Sequence, residues 1–231
     1  MRAVVVGTGR MGALVRAELE RRGHEVLAWV GREAGVDAAV LSRERLAGAD
    51  VAVEFTVPGA APLVVERLLH AGIPVVSGTT GWDAALPRMQ DLARAQGGAL
   101  LHAANFSLGL HVMLRAVREL ARAFAAHPEF RPSLVEVHHV HKKDAPSGTA
   151  RVIAAAAREA GGIEVPIESV RAGEAVGTHT LAFATPHEAV SLEHDVRDRA
   201  VFAVGAVTAA EWLVGRRGVF TLDDVLSGGS A

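Results

Sequence analysis

Residues 136 to 149 read Glu-Val-His-His-Val-His-Lys-Lys-Asp-Ala-Pro-Ser-Gly-Thr, so three of the 11 histidines fall within four positions and both lysines follow at once. The other 22 cations are all arginine. Burial can tune a lysine amine to give up its proton near neutrality, whereas a guanidinium cannot. Lysine kept only beside a histidine cluster therefore points to proton transfer, with His138 and Lys142 the leading pair and Lys143 the bystander. If the segment stays extended, alternation sets His138, Val140 and Lys142 on one face and His139 with His141 on the other. A rival reading takes His139 and His141, with Glu136 or Asp144, as metal ligands, since His-x-His on a strand is a workable pair. A neighbouring lysine repels a cation, and the expectation is a site without metal.

Downstream, Ser147 is suited to cap a helical run over 150–160. The free N–H groups at such a helix start bind anions, and Gly148 leaves the backbone open while Thr149 adds a hydroxyl. A substrate carboxylate fits there beside Lys142. A second motif lies at the amino terminus, where Gly7-Thr8-Gly9-Arg10-Met11-Gly12 follows the apolar run Arg2–Val6 and precedes a helical period over 11–22. That is the dinucleotide fingerprint in its required context: one glycine for the tight turn, one for the approach of a pyrophosphate, one for helix packing. An acid about 20 positions on would bind the ribose of NAD. The second strand ends instead in Val30-Gly31-Arg32-Glu33, and Arg32 favours a 2′-phosphate, hence NADPH over NADH, with Glu33 available to NAD.

The elements that must hold these residues alternate through the first half: strands at 2–6, 25–30, 51–56, 73–77 and 99–103, with helices at 11–22, 60–71 and 82–96. Such alternation predicts right-handed crossovers in a doubly wound parallel sheet. After Asn105 a helix from about Leu108 to Ala126 leads into the run Leu134 to His141. Strand-like stretches at 168–172, 177–184 and 189–195 follow, giving a second α+β domain with a mixed, mostly antiparallel sheet. A last helix over 202–214 and the stretch 218–226 return to the first domain. The expected division is 1–106 with 198–231 for dinucleotide binding and 107–197 for substrate binding and oligomerisation.

Absent residues narrow the chemistry. Without cysteine there is no thiolate nucleophile, disulfide or thiolate metal site, and without tyrosine no phenolic acid. Short-chain dehydrogenases and thiol-dependent aldehyde dehydrogenases are excluded, and histidine and lysine remain as common proton donors near neutrality. A net charge of -2 offers no basic surface for nucleic acid or an anionic membrane, which leaves small-molecule chemistry. The first residues lack the apolar core of a signal peptide, and no uncharged apolar run of about 18 residues occurs, so a cytoplasmic location is expected.

Along its whole length the chain resembles the 4-hydroxy-tetrahydrodipicolinate reductase family: in VVVGTGRMG at 4–12, VEFTVPGA at 53–60, SGTTGW at 77–82, AANFSLG at 103–109, the EVHHVHKKDAPSGTA block and VRAGEAVGTHT at 170–180. The resemblance implies hydride transfer from NADH or NADPH to a cyclic unsaturated dicarboxylate, and a homotetramer assembled through the middle domain. It makes His138 the catalytic histidine and Lys142 the proton donor, with His139, Gly148 and Thr149 on the substrate. Gly7 to Gly12, Gly78, Thr79, Thr80, Ala103, Ala104, Asn105 and Phe106 match cofactor contacts. The chain is shorter than typical members between Gly31 and Leu46 and near Gly161 to Pro166, and has Gly31 where many carry an acid, which leaves the choice of cofactor open. Two alternatives stand beside it. A dehydrogenase of aspartate or homoserine type has no need of His-His-x-His-Lys before Ser-Gly-Thr, and a nucleotide-sensing regulator has no use for a proton donor.

Overall fold

The structure, a computed structural model, describes residues 1–31 and 38–228. Two compact units form, one from Met1–Leu108 with the chain from Ala200 onward, the other from Gly109–Arg199. In the first, β1 (Arg2–Val6), β2 (Glu25–Val30), β3 (Val51–Glu54), β4 (Val75–Ser77) and β5 (Ala99–His102) are parallel, in the order β2-β1-β3-β4-β5. β1 is buried on both faces: Val4 and Val6 join one cluster and Ala3 and Val5 the other, which explains an uninterrupted apolar strand without polar alternation. Helix α1 (Arg10–Arg21) starts after Gly9 in extended conformation. Helices α2 (Ala61–His70) and α3 (Leu86–Ala95) each carry proline in the first turn, where a missing N–H costs nothing. The helix expected over 82–96 is therefore divided. A 3-10 turn at Asp83–Ala85 comes first, and the α-helix proper begins at Leu86 with Pro87 in its first turn.

The second unit opens with α4 (Leu108–Phe124), followed by β6 (Arg131–His138), α5 (Gly148–Gly161), β7 (Ile167–Arg171), β8 (Gly177–Ala184) and β9 (Ala189–Val196). The sheet order is β7-β6-β8-β9, with β6–β7 parallel and the other pairs antiparallel. Leu134 of β6 and Leu181 and Phe183 of β8 are fully buried in one core with residues of α4 and α5. The two helices approach closely at Gly161, where a Cβ would lie 2.2 Å from the Ala121 carbonyl oxygen. The strand expected to run to His141 stops at His138. Lys142 N–H donates to the His139 carbonyl at 3.1 Å and closes a turn, so the strand-like alternation of residues 138–142 does not hold.

The chain then returns to the first unit. Helix α6 (Ala200–Leu213) is apolar almost all round and buries Ala203, Ala206, Val207, Ala209, Ala210 and Leu213 against one face of the parallel sheet. Strand β10 (Gly218–Phe220) adds to the β5 edge, and α7 (Leu222–Leu226) starts in a capping box between Thr221 and Asp224. Among the described residues no helix is long and apolar enough to cross a membrane.

Candidate active site

In the first unit the strand order reverses between β1 and β3, the topological switch point at which doubly wound sheets take their ligands. A cleft of about 680 Å³ opens there, lined by Gly7, Thr8, Gly9 and Gly31 on one side and by Phe55 to Val57 and Leu63 among others. The fingerprint glycines do three different things. Gly7 sits at φ +122° with its α-carbon against the Phe55 carbonyl, and a Cβ would stand 2.0 Å from that oxygen. At Gly12 a Cβ would come within 1.8 Å of the Gly7 carbonyl oxygen, which lets α1 pack onto the turn. Gly9 has open space where its Cβ would be, leaving the backbone N–H groups approachable at a helix start. This cradle fits a dinucleotide. Arg10 is exposed and Met11 packs on the core, while Arg32 and Glu33 lie outside the described residues.

The other expected cofactor residues stand on the loops after β4 and β5 and do not line the cleft itself. Two of them pack on Phe55: a Cβ at Gly78 would meet its ring at 2.1 Å, and the Phe106 ring lies 5.8 Å away, tilted by 60°. Asn105 Oδ1 accepts from Ser107 N–H at 2.8 Å, fixing the turn that carries Ala104 at the surface. Beneath these loops lies Glu54, fully buried and unmarked in the sequence reading. Its Oε1 accepts from Thr56 N–H at 2.7 Å and from the hydroxyls of Thr56 and Thr79 at 2.5 Å, and Oε2 accepts from Ser77 Oγ at 2.5 Å. Thr79 is thereby pinned to the loop after β3. Thr80 remains exposed.

In the second unit the buried face of β6 changes character along its length, from Leu134 to Glu136 to His138. Across the antiparallel register Glu136 faces His179 of β8. Glu136 is completely buried, and its Oε1 accepts from Arg171 Nη2 at 3.0 Å and from Ser147 N–H at 3.2 Å, while Oε2 meets His138 Nδ1. Burial alone raises this carboxyl, but hydrogen bonds from Ser169, Arg171 and Ser147 and the His138 charge overcome it and hold it at about 2. His138 is pushed below the ordinary imidazole value, by burial first and against the pull of Glu136. His179 falls to about 4, again through burial and then the nearby His138. The Lys142 charge acts on both rings and favours their neutral forms.

Lys142 Nζ donates to Asp144 Oδ1 at 2.7 Å, which holds the Asp144 carboxyl low. The turn after β6, in place of strand alternation, therefore sets the position of Lys142, while Lys143 is exposed. Ser147 caps α5 by accepting from Ala150 N–H at 3.1 Å, and its Oγ lies 3.0 Å from His179 Nε2. The N–H groups of Gly148 and Thr149 head the helix, and a Cβ at Gly148 would meet nothing within 4 Å, so this anion-binding start is open. His139 is half-buried and His141 exposed, their rings 6.2 Å apart in the turn.

Glu136, His138 and His179 offer three ligand atoms within 4.8 Å of one another. The donor set nevertheless suits a cation poorly, because Arg171 already occupies Glu136 and Lys142 adds a second positive charge. Sequence reasoning weighed Glu136 only as a ligand and passed over Arg171 and His179. The signal for both was present in the segment 170–180, which the resemblance had singled out as a block.

A doubly wound sheet with a glycine fingerprint, joined to an α+β unit that buries a histidine-carboxylate cluster beside a lysine, defines a two-unit nicotinamide-dependent oxidoreductase. Family models described as "Dihydrodipicolinate reductase, N-terminus" and "Dihydrodipicolinate reductase, C-terminus" match residues 1–106 and 109–226. The 4-hydroxy-tetrahydrodipicolinate reductase of Natronomonas pharaonis is 39% identical, covering 94% of this chain and 96% of its own. That of Christiangramia forsetii is 32% identical over 98% of each. The dipicolinate-bound dihydrodipicolinate reductase from Paenisporosarcina sp. TG-14 shares the fold, with a TM-score of 0.78 at 20% identity over 96% of this chain and 97% of that one. The diaminopimelate dehydrogenase of C. glutamicum shares it more distantly, at a TM-score of 0.56 and 15% identity over 100% and 96%. The chain belongs to the dihydrodipicolinate reductase family, oxidoreductases that use NAD(P)H to reduce the dipicolinate precursor on the route to diaminopimelate and lysine. The aspartate and homoserine dehydrogenase alternative is set aside.

Proposed function

We propose that Lys142 and His138 carry the proton for this reduction and that the start of α5, with His139, holds a substrate carboxylate. The observation that supports this reading is the shared environment of the three groups. His138 is buried on β6 and pushed toward its neutral form, by burial first and in part by Lys142, and the open N–H groups of Gly148 and Thr149 begin the next element. A nicotinamide cofactor held at Gly7 to Gly12 would supply the hydride. Negative charge then develops toward the ring nitrogen of the substrate, and protonation by an ammonium at Lys142 would lower the barrier. His138, kept neutral, serves as the partner that accepts or returns a proton.

In the same reading residues 1–106 with 198–231 bind the dinucleotide through Gly7 to Gly12, Gly78 to Thr80 and Ala103 to Phe106, and 107–197 bind substrate and assemble a cytoplasmic homotetramer. Arg32 favours NADPH. The test is a coupled assay in which the precursor is generated enzymatically and nicotinamide absorbance is followed. Wild type is expected to turn over, with losses of about 100-fold or more in Lys142→Ala and His138→Ala, the scale of losing a general acid. Unchanged turnover in Lys142→Ala overturns the assignment. A large preference for NADH in kcat/KM overturns the choice of NADPH.

A further inference from the structure

The turnover reading leaves Glu136 without a role, yet this side chain ties several elements of the second unit together. One oxygen receives Arg171 of β7 and the backbone N–H of Ser147 at the head of α5, and the other meets His138 Nδ1 on its own strand. Arg171 also donates to the Asp144 carbonyl at 2.6 Å, so the same pair anchors the turn that bears Lys142. Shortening this side chain would release the imidazole, the turn and the helix start together.

The chemistry of the contact is directional. An ionised carboxylate only accepts, so this close contact is favourable only when the imidazole nitrogen carries a hydrogen. In neutral His138 the single ring proton then sits on Nδ1, and Nε2 is left as the lone pair that takes up and returns a proton. Nε2 points to Gly177 of β8, where a Cβ would stand only 2.9 Å away, so the absent side chain keeps that nitrogen uncrowded. The ring is also held edge-on by His179, with centroids 5.2 Å apart at 76°. The titratable or charged groups around His138 are thus Glu136 on β6, Lys142 in the following turn, Arg171 on β7 and His179 on β8.

We propose that Glu136 is a positioning residue for the reaction: it fixes His138 as the Nδ1–H tautomer, makes Nε2 the exchanging nitrogen, and ties that imidazole to the α5 start. The inference rests on His138 taking part in turnover, but its test does not need turnover. Glutamine in place of Glu136 keeps one oxygen for Arg171 and Ser147 and turns an NH₂ toward Nδ1, which demands the opposite tautomer.

Nitrogen NMR of the full chain labelled at histidine, with the His138 signals assigned from a His138→Gln sample, reads the ring directly between about pH 5 and pH 9. Wild type is expected to show Nδ1 protonated in the neutral ring. In Glu136→Gln the proton should move to Nε2, and the titration midpoint should fall by about one unit, because an adjacent anion stabilises imidazolium. The variant's kcat should drop roughly 100-fold, with the KM for cofactor little changed, as expected when only the tautomer is wrong. A wild-type ring protonated at Nε2, or a variant that keeps both tautomer and midpoint, overturns the proposal. The wild-type measurement requires no variant, so a Glu136→Gln chain that failed to fold would still leave it refutable. Absence of turnover in wild type would sink the reaction assignment while the tautomer result stood apart.

Discussion

Glu54 and Glu136 are both sealed completely from solvent, each at the centre of one unit's polar residues, yet their partners are of opposite kinds. Around Glu54 every donor is neutral: one backbone N–H and three hydroxyls, all from the loops that follow β3 and β4 or from the last residue of β4. Around Glu136 the partners include a guanidinium and an imidazole, drawn from two strands and a helix start. Neutral donors fix a backbone shape and give nothing back when the pH changes. Charged and titratable donors do respond, which suits a place where a proton must come and go. One buried carboxylate thus serves as a scaffold under the nucleotide loops, the other as part of a titrating network.

The contrast can be broken most forcibly at Glu54. Glu54→Ala leaves the buried hydroxyls of Ser77 and Thr79 and the half-buried Thr56 hydroxyl without their carboxylate, and a loss of about 3 kcal/mol or more is expected in urea denaturation, with a weaker affinity for the dinucleotide. A loss below about 1 kcal/mol would mean that water or neighbouring groups replace the carboxylate. The second test concerns pH. His179 is held near 4 against an ordinary value of 6.5, and His138 is lowered in the same sense, so the unfolded chain binds protons that the fold refuses. Stability should therefore fall as pH is lowered from 6.5 toward 4. Glu136 acts in a lower window, because its contribution is present above 4.5 and is lost as pH approaches 2. His179→Asn should flatten the slope between 6.5 and 4 while leaving the lower window in place, and an unchanged slope would refute the assignment. The smallest effect is expected at Ser147. Removing its cap by Ser147→Ala costs about 1 kcal/mol and should raise the KM for substrate, leaving that for cofactor alone.

What the sequence disclosed was local. The fingerprint turn was readable because its three glycines, the strand before it and the helix after it lie within 20 residues, and each glycine answers to a steric demand of that short stretch. The histidine-lysine block was readable through residue type alone. Glu54 was hidden because Ser77 and Thr79, 23 and 25 residues further on, reach it only once β3 and β4 pair side by side. Arg171 and His179 were hidden for a similar reason: which strands flank β6, and in which register, is decided by long-range pairing. The turn after His138 was missed because Val140 and His141 suit a strand as well as a turn. It is set by the end of β7, where Ala172 N–H donates to the His138 carbonyl and Val140 N–H to that of Gly173. Pro87, by contrast, carried a visible start signal that a long helical period obscured.

The late return of the chain has a consequence for biosynthesis. Helix α6 covers the face of the parallel sheet that holds Ala3, Val5, Val51 and Val53, and β10 pairs with the β5 edge. On the ribosome those apolar residues have emerged long before their cover, since the whole of β6 to β9 is made in between. The second unit has all its residues once Arg199 is out, whereas the nucleotide unit must wait for the segment from Ala200 onward. Synthesis thus presents a finished middle and an open first half, and that open half is the stretch on which a chaperone or an aggregating neighbour would act.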